Sequence, residues 1–329
     1  MKVRRREFLR LAAGTAALGA VSQVAKAQTY PSRPVTMVVP FAPGGLTDVL
    51  GRVLADGMQM SLDRSVVVEN VPGAGGSIGT GRVARAAPDG YTVVLGIWNT
   101  HVANAITYSL DYDVVRDFAP IALCAESPLV LVAKKSIPAG DLKGYIAWLK
   151  ANPDKASMAT VGNGSPGHLL GILMQNQTGT KFTFVPYRGA GPSVQDLVAG
   201  QIDMTFINTA TALPFVRAGS AKALGLTSLK RMAAAPDIPT MDEAGLPGFA
   251  FSLWGALFAP HGTPADVIAK LNTAAVKTLH DADVQRKLEA QGFDIPPRER
   301  QTPEALAAYQ KSEIEKWWPI IKAAGIKAG

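Results

Sequence analysis

Short runs of β-branched residues alternate along the chain with stretches whose apolar positions recur at helical spacing. Val35-Thr36-Met37-Val38-Val39 runs into a glycine turn and then a helical pattern over residues 47–60. Val66-Val67-Val68-Glu69 leads into a second glycine turn, and the strand pattern 92–96 follows the turn Pro88-Asp89-Gly90. The alternation continues through strand patterns at 156–160, 182–185, 204–207 and 223–227, with helical patterns at 168–177 and 193–199. Strand followed by helix, repeated, predicts an α/β fold with mainly parallel sheets. Towards the end the pattern turns helical. Thr263-Pro264-Ala265-Asp266 and Thr302-Pro303-Glu304 each offer a hydroxyl at the N-cap, proline at the first helical position and an acid in the first turn. The last helix carries Tyr309, Ile314, Trp317, Trp318 and Ile321 near helical spacing, a stripe that predicts a packing face rather than a binding surface.

The first 27 residues read as an address. A basic stretch from Met1 to Arg10 precedes a short apolar run, Leu11 to Val21, and a small-x-small site at Ala25-Lys26-Ala27. Arg4-Arg5-Arg6-Glu7-Phe8-Leu9-Arg10 resembles the twin-arginine type of export signal; an ordinary secretory signal is the alternative. Either predicts a soluble periplasmic chain. The apolar run is about half of the roughly 20 residues a membrane-spanning helix needs, and no later run reaches that length. Six of the 33 basic and one of the 26 acidic residues precede Gln28, which leaves 27 against 25 and a net charge of +2 instead of +7. No basic block with interleaved aromatics remains, so nucleic acid is not an expected partner. The single cysteine, Cys124, excludes an internal disulfide and sits in an apolar run that predicts a packing residue. About 300 residues after the signal exceed the usual size of one core and predict two domains.

Parallel α/β sheets bind ligands at the carboxyl ends of their strands, where helix N-termini favour anions. Four such turns here are glycine-rich: Pro40 to Asp48, Gly73 to Ser77, Val161 to His168 and Tyr187 to Pro192. The spacings for a dinucleotide fingerprint or a phosphate-binding P-loop are absent. His101, His168, His261 and His280 lie far apart and pair with no cysteine, so neither a metal nor a cofactor is expected. Ser165 and His168 raise a hydrolase as an alternative, but Ser165 lies outside a nucleophile elbow and has no identifiable third partner.

Taken in order, Pro-Phe-x-x-Gly-Gly-x-x-Asp after the first strand, Glu69-Asn70-Val71-Pro72 before Gly-Ala-Gly-Gly, Pro88-Asp89-Gly90-Tyr91, Gly-x-Gly-Ser-x-x-His-Leu and Pro-Tyr-Arg-Gly-x-Gly-Pro are similar to the Bug-type receptors of tripartite tricarboxylate transporters. Gly200-Gln201-Ile202-Asp203 and Ala259-Pro260-His261-Gly262-Thr263-Pro264 continue the resemblance, which covers essentially all of the chain after the signal.

The resemblance implies a two-domain periplasmic binding protein (type II, Venus-flytrap) with two crossing strands, placed near 129–134 and 251–259. Domain 1 is then 28–132 plus 254–329, and domain 2 is 133–253. It also implies a non-enzymatic, monomeric receptor that captures a small carboxylate solute for membrane transporter subunits; a sensing partner of a membrane kinase is the alternative. By resemblance the carboxylate lies between Phe41, Gly44, Gly45, Thr47 and Asp48 of one domain and Gly164, Ser165 and His168 of the other. Opposed amides and hydroxyls suit an anion without a rigid arginine clamp. Asp48 would repel a carboxylate and is expected to hold water or loop amides instead. Tyr187, Arg188, Gly189 and Asn208 fall at the distal end of the solute, Asn99 and Thr100 are further pocket candidates, and the Gly73 to Ser77 turn serves helix packing.

Overall fold

In the computed structural model, which describes residues 30–327 apart from Asn163, Arg188 and Ala233, the β-branched runs are strands. Residues 1–27, which the sequence reads as an export signal, lie outside the described residues. Met1–Ser32 and Arg33–Gly329 are separate units, and every strand and helix named here belongs to the second. The strands are β1 (Val35–Val39), β2 (Val66–Asn70), β3 (Thr92–Ile97), β4 (Phe118–Lys134), β5 (Ser157–Thr160), β6 (Thr183–Pro186), β7 (Met204–Asn208), β8 (Ala221–Leu226) and β9 (Ser252–Pro260). They run in the order β2-β1-β3-β9-β4-β7-β5-β6, with β8 also on β4. β1 pairs parallel with β2 and β3, and β5 pairs parallel with β6 and β7, as strand-then-helix succession requires. β4 and β9 break that rule, running antiparallel to each other, and β9 is also antiparallel to β3.

β4 is the strand that joins the two sheets. It pairs with β9 up to Pro128, opposite Ser252, and with β7 and β8 from Leu129 and Val130 onward. Proline has no N–H to give a ladder, so Pro128 sits where one partner ends and the next begins. The return passage is held by Thr227. Its hydroxyl accepts from Leu129 N–H (2.8 Å) and lies within donating distance of the carbonyls of Leu129 (3.1 Å) and Phe251 (2.7 Å), while Phe251 N–H donates to Thr227 O (2.8 Å). One fully buried threonine therefore touches both passages between the sheets.

Helices cover the sheets: α1 (Leu46–Leu62), α2 (Ser77–Ala84), α3 (Asn104–Thr107), α4 (Leu142–Ala151), α5 (Pro166–Thr178), α6 (Ala190–Val198), α7 (Thr209–Arg217), α8 (Ala265–Leu279), α9 (Ala282–Ala290) and α10 (Pro303–Ala323). The stripe on α10 does pack inward: Trp317 and Ile321 are buried, with Tyr309, Ile314 and Trp318 against the same core. Thr302 caps α10, accepting from Ala305 N–H at 3.1 Å. The look-alike at Thr263 does not cap. Its hydroxyl donates instead to Pro260 O (2.8 Å), Pro264 takes the N-cap position and α8 begins at Ala265. Cys124 is fully buried and burial pushes its thiol up to about 12, which leaves it unreactive. Among the described residues no helix is long and apolar enough to cross a membrane.

Candidate functional site

Strand register shows which loops share a side. In the first sheet Ile97, at the carboxyl end of β3, pairs with Gly255, nearer the crossover than Val94 opposite Phe258. β1 is parallel to β3, so its carboxyl end points the same way. In the second sheet Asn208, at the carboxyl end of β7, lies opposite Leu129 at the crossover, and β5 and β6 run parallel with β7. The strand-to-helix loops of both sheets therefore face the crossover from opposite sides.

The first loop joins β1 to α1. Gly45 is the N-cap of α1, and no side chain caps this end. Its free N–H groups and the helix dipole make a local positive end. Neither Gly44, at φ +83°, nor Gly45 has crowding in the direction of an added side chain. Asp48, 3% exposed, does take a loop amide, as the sequence suggested: its Oδ2 accepts from Gly44 N–H at 2.8 Å. Two partners were not foreseen. Arg52 Nε donates to Oδ2 at 2.9 Å and Asn70 Nδ2 to Oδ1 at 2.9 Å. The Arg52 hydrogen bond, with those from Gly44 and Asn70, outweighs burial and holds the Asp48 carboxyl down to about 2. Asp48 and Arg52 stand four apart on one helix, a signal visible in the sequence. Asn70 gives no such signal, because only the register Val39 opposite Asn70 brings it near.

The second loop joins β5 to α5. Ser165 is the N-cap, its Oγ 3.4 Å from His168 N–H, and Pro166 takes the first helical position. Gly164, at φ +75°, donates its N–H to His168 Nδ1 at 3.1 Å. That nitrogen is therefore unprotonated and the neutral ring carries its hydrogen on Nε2. Burial lowers the His168 pKa, and the ring stands edge-on to Phe184 at 4.6 Å. Ser165 thus bonds the His168 backbone and the ring bonds Gly164, which is a helix cap and a loop brace, not a nucleophile with its base.

The expected donor set changes accordingly. The N–H groups of Gly44 and Gly164 are each occupied by the side chain four residues on, which leaves the first-turn amides of α1, the Thr47 and Ser165 hydroxyls and His168 Nε2 as the donors of the two loops. The reason for glycine at 164 also changes: a Cβ there would lie 2.8 Å from Ile326 Cγ2, so this loop packs close against the chain beyond α10.

Other candidates divide. Thr100 is fully buried, its hydroxyl bonded to Ile97 N–H and O and to His101 Nδ1, which leaves nothing to offer a solute. Asn99 is half-buried and its amide has no partner among the described residues. Tyr187 donates its hydroxyl to Asp196 at 2.7 Å, and burial together with that carboxylate pushes the phenol up to about 12. Gly189, at φ +146°, begins α6 in open space. Asn208 Nδ2 donates to Ser127 Oγ (3.2 Å) on β4, tying β7 to the crossing strand. Phe41 is half-buried; a Cβ on Gly76 would lie 3.0 Å from its ring and 2.7 Å from Thr100 Cγ2. The Gly73 to Ser77 turn thus packs behind the first loop. Arg188 lies outside the described residues. Among those residues no group of three or more potential ligands could hold a metal ion.

Two sheets sharing a crossing strand, with uncapped and capped helix N-termini facing the crossover from both sides, define a two-domain solute-binding protein of the periplasmic type. The sequence model for the tripartite tricarboxylate transporter family receptor matches residues 50–326. Protein BugT of Bordetella pertussis is 37% identical over 313 residues, 94% of this chain and 95% of that protein. MatC of Rhodopseudomonas palustris, solved with bound malate, superposes with a TM-score of 0.72 at 38% identity, covering 89% of this chain and all of that one. A second R. palustris protein, solved with adipate, gives 0.74 at 32% identity over 91% of this chain and 99% of that one. The chain belongs to the tripartite tricarboxylate transporter receptor family, whose members are solute-binding receptors and not enzymes.

Proposed function

We propose that this protein is an exported periplasmic receptor that holds a small carboxylate in the cleft between its two lobes and delivers it to membrane transporter subunits. The observation that carries the reading is the charge arrangement of the first loop. The N-terminus of α1 is open, while the carboxylate in its first turn, Asp48, is already bound by Arg52, Asn70 and the Gly44 amide. Donors are left over where an anion would enter, and the negative charge is not. Across the cleft the Ser165 hydroxyl and the neutral His168 ring add donors without adding a fixed cation. Malate and adipate in two related proteins support a dicarboxylate as the solute class.

The rest of the reading follows the same line. Residues 1–27 serve as a twin-arginine-type signal, and the mature chain works as a monomer without nucleic acid. Domain 1 takes 28–132 plus 254–329 and domain 2 takes 133–253; the partner exchange of β4 at Pro128 and Leu129 supports that division to within a few residues. Tyr187, Arg188, Gly189 and Asn208 line the distal end, and Asn99 is a further pocket residue. A ligand that binds only the folded cleft stabilises it by about 2.7 kcal/mol at a hundredfold excess over Kd. A thermal-shift panel of three- to eight-carbon dicarboxylates, citrate and aromatic acids therefore contains at least one hit. Shifts with sugars or metal ions and none with acids would end the carboxylate reading.

A further inference from the structure

Asn70 is the last residue of β2, yet every polar function of its side chain is spent on the first loop and its helix. Nδ2 donates to Phe41 O at 3.0 Å and to Asp48 Oδ1 at 2.9 Å, and Oδ1 accepts from Arg52 Nη2 at 3.2 Å. This set of partners fixes which way the amide faces, since a flipped group would set oxygen against oxygen twice. Arg52 closes the ring by donating Nε to Asp48 Oδ2, which also holds Gly44 N–H. The loop is thus pinned at Phe41 and Gly44, three residues apart, from a neighbouring strand and from the helix it opens. The donors left free, the first-turn amides of α1 and the Thr47 hydroxyl, lie directly after the second pin.

We infer that Asn70 and Arg52 are positioning residues for the solute: Asn70 sets the place of the loop, and Arg52 neutralises Asp48 so that an arriving carboxylate meets the α1 amides without a facing negative charge. The inference rests on the carboxylate reading above. A site held loosely by even an ångström loses much of its binding, and here the holding is done by two side chains that need not touch the solute. An unneutralised carboxylate beside the site would also oppose an anion directly.

Three variants separate these roles. Asn70→Ala removes the pin and keeps the charge balance. It weakens binding about tenfold, the worth of one to two hydrogen bonds, by a factor relative to the unaltered protein that does not change with pH. Asn70→Asp sets a second carboxylate against Asp48. It binds more weakly than Asn70→Ala at neutral pH and recovers as pH falls to about 5, where the pair takes up a shared proton and one donor is restored. Arg52→Gln, at an exposed position, leaves the fold intact and weakens binding of both dicarboxylates, because the Asp48 charge is no longer covered.

The test is calorimetric titration of the full chain and each variant with L-malate and with adipate at both pH values, beside amide hydrogen exchange of residues 40–48 without ligand. Faster exchange at Gly44 in all three variants, with pH-dependent recovery in Asn70→Asp alone, supports the inference. Unchanged exchange and unchanged affinity in Asn70→Ala and Arg52→Gln overturn it. If the unaltered protein binds neither acid, the carboxylate reading fails for these probes, and the exchange data still decide whether Asn70 and Arg52 hold the loop.

Discussion

The N–H of Gly164 donates to Nδ1 of His168 at 3.1 Å, mirroring on the second loop the 2.8 Å bond from Gly44 to Asp48 on the first. Both loops are braced by a side chain four residues on, in the first turn of the helix they open. The two braces differ in charge. One acceptor is an ionised carboxylate with its own arginine, and the other is a neutral ring.

His168 is therefore the brace that acid undoes. Burial places its pKa below the ordinary 6.5. The folded state then binds fewer protons than the unfolded chain, so this contribution to stability is present above pH 6.5 and is lost as pH falls through the lower folded value. Long-range nitrogen–proton correlation spectra will show Nδ1 unprotonated at neutral pH and a titration midpoint below that of free imidazole. A protonated Nδ1 at neutral pH would contradict the brace.

Thr227 pins both passages between the sheets, so Thr227→Val, nearly equal in volume, strips hydrogen bonds from buried backbone groups of Leu129 and Phe251. The expected cost is about 2–4 kcal/mol, since each unsatisfied buried group costs about 1–3 kcal/mol. Urea unfolding measures it. A loss within about 0.5 kcal/mol, the usual range of a surface change, would mean the hydroxyl holds nothing.

Two acids near the crossing strand, Asp294 half-buried and Glu313 buried, make the opposite linkage to His168. Burial, with Glu126 and Glu289 nearby, raises Asp294 from 3.8 to about 6, and burial raises Glu313 from 4.5 to about 7 although Lys316 opposes it. The folded state retains these protons where the unfolded chain has released them. Their contribution is full below the ordinary values and is lost as pH rises through 6 and 7. Glu313→Gln keeps the shape without the charge and should flatten the fall in stability across that range, with a gain of about 1–3 kcal/mol at pH 8. Melting temperatures of both proteins from pH 5 to pH 8 test this; parallel curves would contradict it.

The sequence exposes some of these relationships and hides others for identifiable reasons. β1 and β2 announce themselves by β-branched runs and the glycine turns after them. β4 does not, because its first half is continuously apolar and Pro128 interrupts its second half, although that proline marks the exchange of partners. Thr302 and Thr263 look alike in sequence, yet only Thr302 caps, since Pro260 O is within reach of the Thr263 hydroxyl. Thr100 follows a strand as a pocket residue would, but its side chain turns back onto Ile97. Asp48 and Arg52 are readable as a helical pair. Asn70 is not, because it meets them only through the pairing of β1 with β2.

The central claim is that a carboxylate is held by amides and hydroxyls of the two facing loops. Calorimetric titration of Thr47→Val, Ser165→Ala and their double variant with the tightest acid from the panel tests it most directly, with circular dichroism confirming the fold. The account predicts a loss of about ten- to a hundredfold for Ser165→Ala, the worth of one hydrogen bond to a charged group, a similar or smaller loss for Thr47→Val, and a larger one for the pair. Undiminished affinity in the folded double variant would contradict it.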